Sequence, residues 1–380
     1  MNDRAALDLL AAHGPLTRAR IGELTGLSKP TVSQVLGRLQ QSRLVRATGS
    51  ATGGRPGPSA QLYEVDPEAG HVAALAVDPE GITACVADIT GRVTGRSRVR
   101  HDAVAAELPD RTGHLVAHAV DAALDAASLT RDRLHRAVIG TPGAVDPGTG
   151  VLRYAPHLPG WHSREPAAEI AAVVGVPVVI ENDVNLAALA ERHHGAARGH
   201  EDFVLLWADA GVGAAIVLGG RLLRGATGGA GEVGYLPVPG APLVRGEDAR
   251  SSGFQQLVGA PRVVELARSQ GFGDVTTLDD ALGHSPVREE VAHRLAVGLA
   301  AVVAVVDPRL VVLSGSVAHA GGEGLRAAVE REMTGLALPR PELRISEVQG
   351  DPILAGALHT ALDAARDSVF DTSRSTPAPA

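Results

Sequence analysis

The apolar pattern of this chain changes period near residue 70, and that change constrains the fold more than any other feature. Before it, Val32, Val35, Leu36 and Leu39 recur at the three-and-four spacing of a single helix face. After it, short β-branched runs alternate with alanine-rich stretches, the mark of an α/β domain with a parallel or mixed sheet. One layered architecture does not satisfy both patterns. We therefore divide the chain into a head, residues 1–66, and a body, residues 70–365, and read residues 366–380 as a disordered tail on their Ser, Thr, Pro and Ala content. With 380 residues and about 150 per domain, two or three domains are expected, each able to bury a core without covalent staples.

The head carries start and stop signals for three short helices. Residues 5–12 form an apolar helix closed by His13-Gly14-Pro15, and Thr17 is an N-cap for a second helix burying Ile21. Thr25-Gly26-Leu27 makes a turn, Ser28 caps the third helix, and Pro30 sits in its first turn, where a missing N–H costs little. With the stripe of that third helix buried, Gln34 and Arg38 face outward, flanked by Thr31 and Ser33. Residues 43–48 and 60–65 read as two strands of a hairpin, with Gly53-Gly54-Arg55-Pro56-Gly57-Pro58 in the turn-rich tip between them. Three helices and a β-hairpin make a winged helix-turn-helix.

Charge separates head from body. The whole chain has a net charge of −8, yet residues 1–63 hold eight basic side chains against Asp3, Asp8 and Glu23. The head alone suits a polyanion, which argues for double-stranded DNA as its partner. Ser28 and Lys29 at a helix N-terminus are placed for phosphate, Thr31, Ser33, Gln34 and Arg38 for base edges, and Arg55 for a minor groove. A trihelical dimerisation module with a solvated polar face is the alternative reading of the same residues.

The single cysteine, Cys85, forms no internal disulfide and no thiolate cage for zinc. The charged N-terminal stretch does not resemble a signal peptide, and the longest apolar run, 295–306, is too short to span a bilayer. These features predict a cytoplasmic protein without membrane contact.

In the body, strands are expected at 72–77, 82–87 and 93–99, a helix at 112–127 and a strand ending at Gly140. A similar rhythm restarts at 203–207 and continues through 214–218, a helix at 295–306 and a strand at 310–313, so two related halves are expected. Val178-Val179-Ile180 delivers Glu181-Asn182-Asp183 to a strand's C-terminal end, where such domains place ligand chemistry. Asp183 can accept from a sugar hydroxyl and Asn182 can both donate and accept, although Asp183 and Asn185 capping the next helix would explain the segment equally well. The glycines around Glu232 in Gly225-Ala226-Thr227-Gly228-Gly229-Ala230-Gly231-Glu232-Val233-Gly234-Tyr235 allow close approach to a ligand, or describe a bland loop. Gly140-Thr141-Pro142-Gly143 is a ligand-facing loop or an ordinary turn.

Taken in order, Leu16-Thr17-Arg18, Gly26-Leu27-Ser28, Gly54-Arg55-Pro56, Gly140-Thr141-Pro142-Gly143, Leu158-Pro159-Gly160-Trp161, Glu181-Asn182-Asp183 and Ala230-Gly231-Glu232-Val233-Gly234 resemble the landmarks of the ROK family (repressor, open reading frame, kinase), from about residue 4 to residue 365. The resemblance implies a sugar kinase and actin (ribonuclease H-like) fold in two lobes behind the winged head, with Arg18 among the DNA-binding residues. It puts Asp183 at the position of the kinases' catalytic base, and Asn182, Glu232, Gly143, His157 and Tyr235 around an effector. His157 stands where many relatives have asparagine.

The departures from the kinases are equally informative. Their Asp-x-Gly-Gly-Thr phosphate turn is here Asp78-Pro79-Glu80-Gly81-Ile82-Thr83, and their Gly-Thr-Gly-x-Gly loop is Asp209-Ala210-Gly211-Val212-Gly213. The late glycine pair has become Ser314-Gly315-Ser316. The family's zinc histidine is Tyr235, and no cysteine follows Cys85, so no metal or other cofactor is expected. Gln256 stands where a glutamate ligand would be. The resemblance thus implies no enzyme but a DNA-binding regulator of carbohydrate genes, usually a repressor, acting as a homodimer or homotetramer and sensing a sugar or sugar phosphate. A vestigial pocket, or a sugar kinase, are the alternatives.

Overall fold

The computed structural model describes residues 2–51, 60–103, 111–153, 161, 163–243 and 252–371. The head opens with α1 (Asn2–His13), which buries Ala6, Leu7 and Leu10. A two-residue strand, β1 (Leu16–Thr17), leads into α2 (Arg18–Thr25), whose N-cap Thr17 accepts from the Arg20 N–H at 3.2 Å. Gly26, at φ 71°, ends α2 in the left-handed region that glycine adopts without a Cβ penalty.

Ser28 caps α3 (Lys29–Gln41), accepting from the Thr31 N–H, and the expected stripe of Val32, Val35, Leu36 and Leu39 is buried. Each such side chain contributes roughly 1.5–3 kcal/mol of hydrophobic burial, so Leu36→Ala alone would threaten so small a core. The hairpin pairs β2 (Val45–Ala51) with β3 (Ala60–Val65), and β1 adds to β3 to complete a three-stranded sheet. The first strand begins two residues later than its sequence pattern suggests, because Arg43, at φ 55°, still belongs to the turn leaving α3.

The chain falls into two compact units: one of residues 1–140, 166–180 and 357–380, the other of 141–165 and 181–356. Beside the head, the first contains β4 (His71–Asp78), β5 (Gly81–Asp88), β6 (Val93–Arg100), α4 (Arg111–Ala127), most of β7 (Leu134–Thr141), α5 (Pro166–Val174) and the start of β10 (Val178–Asn182). Its sheet runs β10-β7-β4-β5-β6, with β4, β5 and β6 antiparallel and β7 parallel to β4. The short hairpin of β8 (Ala144–Val145) and β9 (Leu152–Arg153) belongs to the second unit.

The second unit holds α6 (Asp183–His194), β11 (Phe203–Ala208), β12 (Val212–Leu218), β13 (Arg221–Leu222), α7 (Gln255–Val258), α8 (Ala260–Ser269), α9 (Leu278–Gly283), α10 (Ser285–Val306), β14 (Leu310–Ser314), α11 (Ser316–Leu336) and β15 (Glu342–Ile345). Its sheet, in the order β13-β12-β11-β14-β15, has an antiparallel triplet followed by two parallel strands, and the first sheet likewise has an antiparallel triplet with a parallel strand, β7, beside it. Alternate residues sort to opposite faces. Val204, Leu206, Val311 and Leu313 join the core built with α8, α10 and α11, while Phe203, Leu205, Leu310 and Val312 pack with Val184, Ala187 and Ala188 of α6. The expected two related halves are these two sheets.

The last helix, α12 (Pro352–Val369), runs past the boundary set for a disordered tail, and Phe370 is buried. That expectation is corrected for residues 366–371: Arg366 donates to the Ile89 carbonyl at 3.0 Å and Arg4 to Asp367 at 2.8 Å, contacts that a compositional argument does not register. Residues 372–380 lie outside those described. No helix among the described residues is long and apolar enough to cross a membrane.

Candidate functional site

Two sets of residues carry the expected chemistry, one in the head and one in the second unit. On α3, Lys29, Ser33, Gln34 and Arg38 are exposed, as a groove-reading helix requires. Ser28 and Thr31 are joined hydroxyl to hydroxyl at 2.8 Å, so their first task is to start the helix. Arg18 is exposed; it donates to the Tyr63 hydroxyl and lies over that ring, 5.1 Å from its centroid. This contact braces α2 against β3 and leaves Arg18 on the surface of the head. Arg38 is exposed but held by Asp3 through two guanidinium nitrogens, at 3.2 and 2.5 Å. Arg55 lies outside the described residues.

In the second unit the junction of β10 and α6 organises the site. Asn182 rather than Asp183 is the N-cap: its side-chain oxygen accepts from the Asn185 N–H at 3.0 Å, and its amide donates to the Gly143 carbonyl at 2.9 Å. Asn182 thereby ties the loop after β7 to the start of α6, with both ends of its side chain engaged. Asp183 is the first helical residue, with one carboxylate oxygen accepting from the Val184 N–H at 2.8 Å.

Burial, with Glu232 and Asp209 nearby, pushes the Asp183 carboxyl up to about 7. Burial does the same to Glu232, also to about 7. These carboxyls sit beside glycines that are required rather than bland. Gly231 has φ 95°, and a Cβ there would lie 1.9 Å from the Ala214 carbonyl of β12. Its own carbonyl accepts from the Ala214 N–H at 2.8 Å, which seats the Glu232 loop on the sheet. Tyr235 is half-buried in the short turn Val233–Tyr235 that follows. His157 lies outside the described residues, as do Leu158, Pro159 and Gly160, whereas Trp161 is buried.

Arg224 was not singled out from sequence, and the partners of Glu181 and Asp209 were not foreseen. Glu181 accepts from Arg224 at 2.7 and 2.8 Å and from the Asn185 amide at 2.9 Å, pinning the glycine segment to β10. Asp209 accepts from the Ala210 N–H and the Ser316 hydroxyl, both at 2.8 Å, so the degraded second phosphate loop is locked to the first residue of α11. Glu181 was legible as part of its strand, but its pairing with Arg224 had no local signal.

The degraded first phosphate turn is locked as well. The Asp78 carboxylate accepts from the Glu80 and Gly81 N–H groups at 2.8 and 3.0 Å and from Arg98 at 2.6 and 2.9 Å. Burial alone would raise the Asp78 carboxyl, but Arg98 and the two amides outweigh it and hold the carboxyl below its usual range. Arg98 also reaches Thr83 at 2.8 Å. The donors that this turn would offer a phosphate are engaged with the protein's own carboxylate.

Comparison with known proteins agrees with this division. Residues 74–254 match the ROK family and residues 3–56 the MarR family. The chain is 25% identical over 346 residues to the DNA-binding transcriptional dual regulator NagC of Escherichia coli (strain K12), spanning 84% of this chain and 81% of that protein. It is 31% identical over 204 residues to a glucokinase of Thermotoga maritima, covering 48% of this chain and 64% of the kinase.

Among solved structures, a ROK family transcriptional regulator, homolog of the E. coli MLC protein, superposes with a TM-score of 0.74 at 19% identity, over 97% of this chain and 98% of that one. The ROK hexokinase of Thermus thermophilus superposes at 0.63 and 30% identity, over 78% of this chain and 99% of the hexokinase. The kinase matches cover less of this chain than the regulator structure, which spans nearly all of it.

Proposed function

Since the chain belongs to the ROK family and carries a MarR-type head, we propose that it is a DNA-binding transcription regulator, a repressor of carbohydrate-related genes, whose body senses a sugar and does not phosphorylate it. One observation carries the reading. The sugar-side carboxyls Asp183 and Glu232 are retained, while both phosphate loops are closed by internal carboxylates, Asp78 and Asp209. A base without a bound phosphoryl donor transfers nothing, so what remains is binding.

The pocket chemistry narrows the effector. Asp183, Glu232 and Asp209 supply acid, and Arg224 is paired with Glu181. A polyol satisfies such a site through its hydroxyls, and an amino sugar adds a favourable charge, whereas a 6-phosphate would meet repulsion. We therefore favour an unphosphorylated sugar within the broader class of sugars and sugar phosphates. With Tyr235 in place of the family's zinc histidine, the site works without metal.

On this reading the protein is cytoplasmic and acts as a homodimer or homotetramer, because two heads on two half-sites give tight operator binding. The sugar changes DNA affinity only through different affinities for the DNA-competent and DNA-incompetent states. A second reading, a regulator with a vestigial pocket, draws on the engagement of Asn182 at both ends of its side chain.

Thermal unfolding of the full chain with hexoses, amino sugars and their 6-phosphates, alongside an assay for ATP turnover, separates the readings. An unphosphorylated sugar should raise the midpoint in the wild type but not in Asp183→Ala, with no ATP consumed. ATP-dependent sugar phosphorylation would overturn the proposal. Stabilisation by no sugar would favour the vestigial pocket.

A further inference from the structure

Two adjacent residues near the start of α1 face different partners. Asp3, whose side chain is only 15% exposed, accepts from Arg38 of α3 through both carboxylate oxygens. Arg4 donates to Asp8 and to Asp367 of α12, each at 2.8 Å, with its guanidinium carbon 5.7 Å from the centroid of the buried Phe370 ring. One turn of α1 therefore joins an arginine on the exposed face of α3 to the last helix of the chain.

We propose that Asp3 is a positioning residue for DNA recognition: it competes with DNA for Arg38, and the Arg4–Asp367 pair sets that competition by fixing α1 to α12. The proposal rests on the DNA-binding reading above. A guanidinium whose Nε and Nη2 are engaged by a carboxylate does not present that edge to a guanine or a phosphate. To bind through this edge, Arg38 must leave Asp3, and the carboxylate then remains as a local repulsion.

The pair is a tuning contact rather than a block. Arg38 is 55% exposed, and exposed ion pairs are weak enough for a phosphate or a bidentate base contact to displace them. The anchor is similarly exposed, at 41% for Arg4 and 73% for Asp367, so movement of α12 can release it at little cost. A shift of the first turn of α1 relative to α3 then changes how readily Arg38 leaves Asp3. Asp3 and Arg38 lie 35 positions apart, so this control has no local sequence signature.

The test is fluorescence anisotropy of the full chain on a duplex recovered from a random 30-base-pair pool by selection on the wild-type protein. Asp3→Asn should tighten binding about threefold to fivefold, whereas Asp3→Glu should stay near wild type. In an Arg38→Ala background, Asp3→Asn should have no further effect. Asp367→Asn should tighten binding less than Asp3→Asn does and add nothing to it.

Repeating the selection with Asp3→Asn should strengthen the base preference at the position that Arg38→Ala relaxes, a readout that a merely structural role for Asp3 would not move. Equal tightening in the presence and absence of Arg38 would reduce the effect to general electrostatics and overturn the proposal. So would unchanged or weaker binding by Asp3→Asn when the wild type binds. Recovery of no duplex by the wild type or by the variants would overturn the DNA-binding reading and the proposal with it.

Discussion

The two five-stranded sheets place a hairpin turn at corresponding points, between β4 and β5 in one and between β11 and β12 in the other, and each turn carries an aspartate. Asp78 is closed by its own turn amides and by Arg98. Asp209 is held by the Ala210 N–H and the Ser316 hydroxyl, and it adds to the acidic surroundings of Asp183. One turn has its charge balanced by an arginine; the other is engaged by an amide and a hydroxyl instead and acts electrostatically on Asp183. Equivalent positions in a repeated architecture thus diverge in electrostatics, and the proposed function rests on that divergence.

The largest effect should come from backbone close to the acidic pocket. Gly231→Ala places a Cβ against the Ala214 carbonyl at a positive φ, so it should cost more than about 3 kcal/mol in denaturant unfolding and abolish sugar stabilisation. Pro79→Ala, in the exposed turn of the other sheet, should change stability by less than about 0.5 kcal/mol. Comparable costs at the two positions would break the contrast.

Next in size is pH dependence. A carboxyl whose folded pKa is raised binds its proton more tightly folded than unfolded, so the stability it contributes is present at low pH and is lost as pH rises from the unfolded value toward the folded one. For Asp183 and Glu232 that window runs from about 4 to about 7. Denaturant midpoints should fall across it, and Asp183→Asn should flatten the profile by on the order of 1–3 kcal/mol. Asp78 has the opposite sign: its depressed pKa contributes stability that is lost on acidification through its folded pKa.

Smaller effects separate the two turns directly. Asp209→Asn removes one negative charge beside the pocket and should improve binding of a sugar 6-phosphate relative to the unphosphorylated sugar by about threefold in calorimetric titration. Arg98→Ala, at a pair more than 40% exposed on both sides, should cost less than about 1 kcal/mol and leave sugar binding unchanged. A strong effect of Arg98→Ala on sugar binding would mean that the first turn is not closed off from the site's chemistry.

The fold was legible where local physics decides it. Thr17 and Ser28 announced α2 and α3 through capping chemistry, and the stripe from Val32 to Leu39 named the buried face. Strands β4 to β7, β10 to β12 and β14 followed from apolar runs and two related halves from their rhythm, whereas β13 and β15 were not foreseen. Two residues, Leu16 and Thr17, are too few to show a period, so β1 was not foreseen. The end of α12 was missed because its polar composition outweighed one buried Phe370.

Within the candidate sites, residue type identified Asp183 and Glu232, but partnership required folding. Arg18 finds Tyr63, 45 positions away, and Arg224 finds Glu181, 43 positions away. The capping choice between Asn182 and Asp183 was also beyond the sequence, since either side chain can accept from an N–H two or three residues on. Only the placement of the Gly143 carbonyl decided it.

The most direct test of the account is the affinity of the full chain for a selected duplex, measured by fluorescence anisotropy with and without the sugar that stabilises it, in wild type and in Asp183→Ala. The account predicts that the sugar shifts wild-type affinity at least tenfold, that Asp183→Ala binds the same duplex and does not respond, and that no sugar phosphate forms when ATP is added. DNA binding unaffected by a sugar that stabilises the protein, or conversion of that sugar to its phosphate, would contradict it.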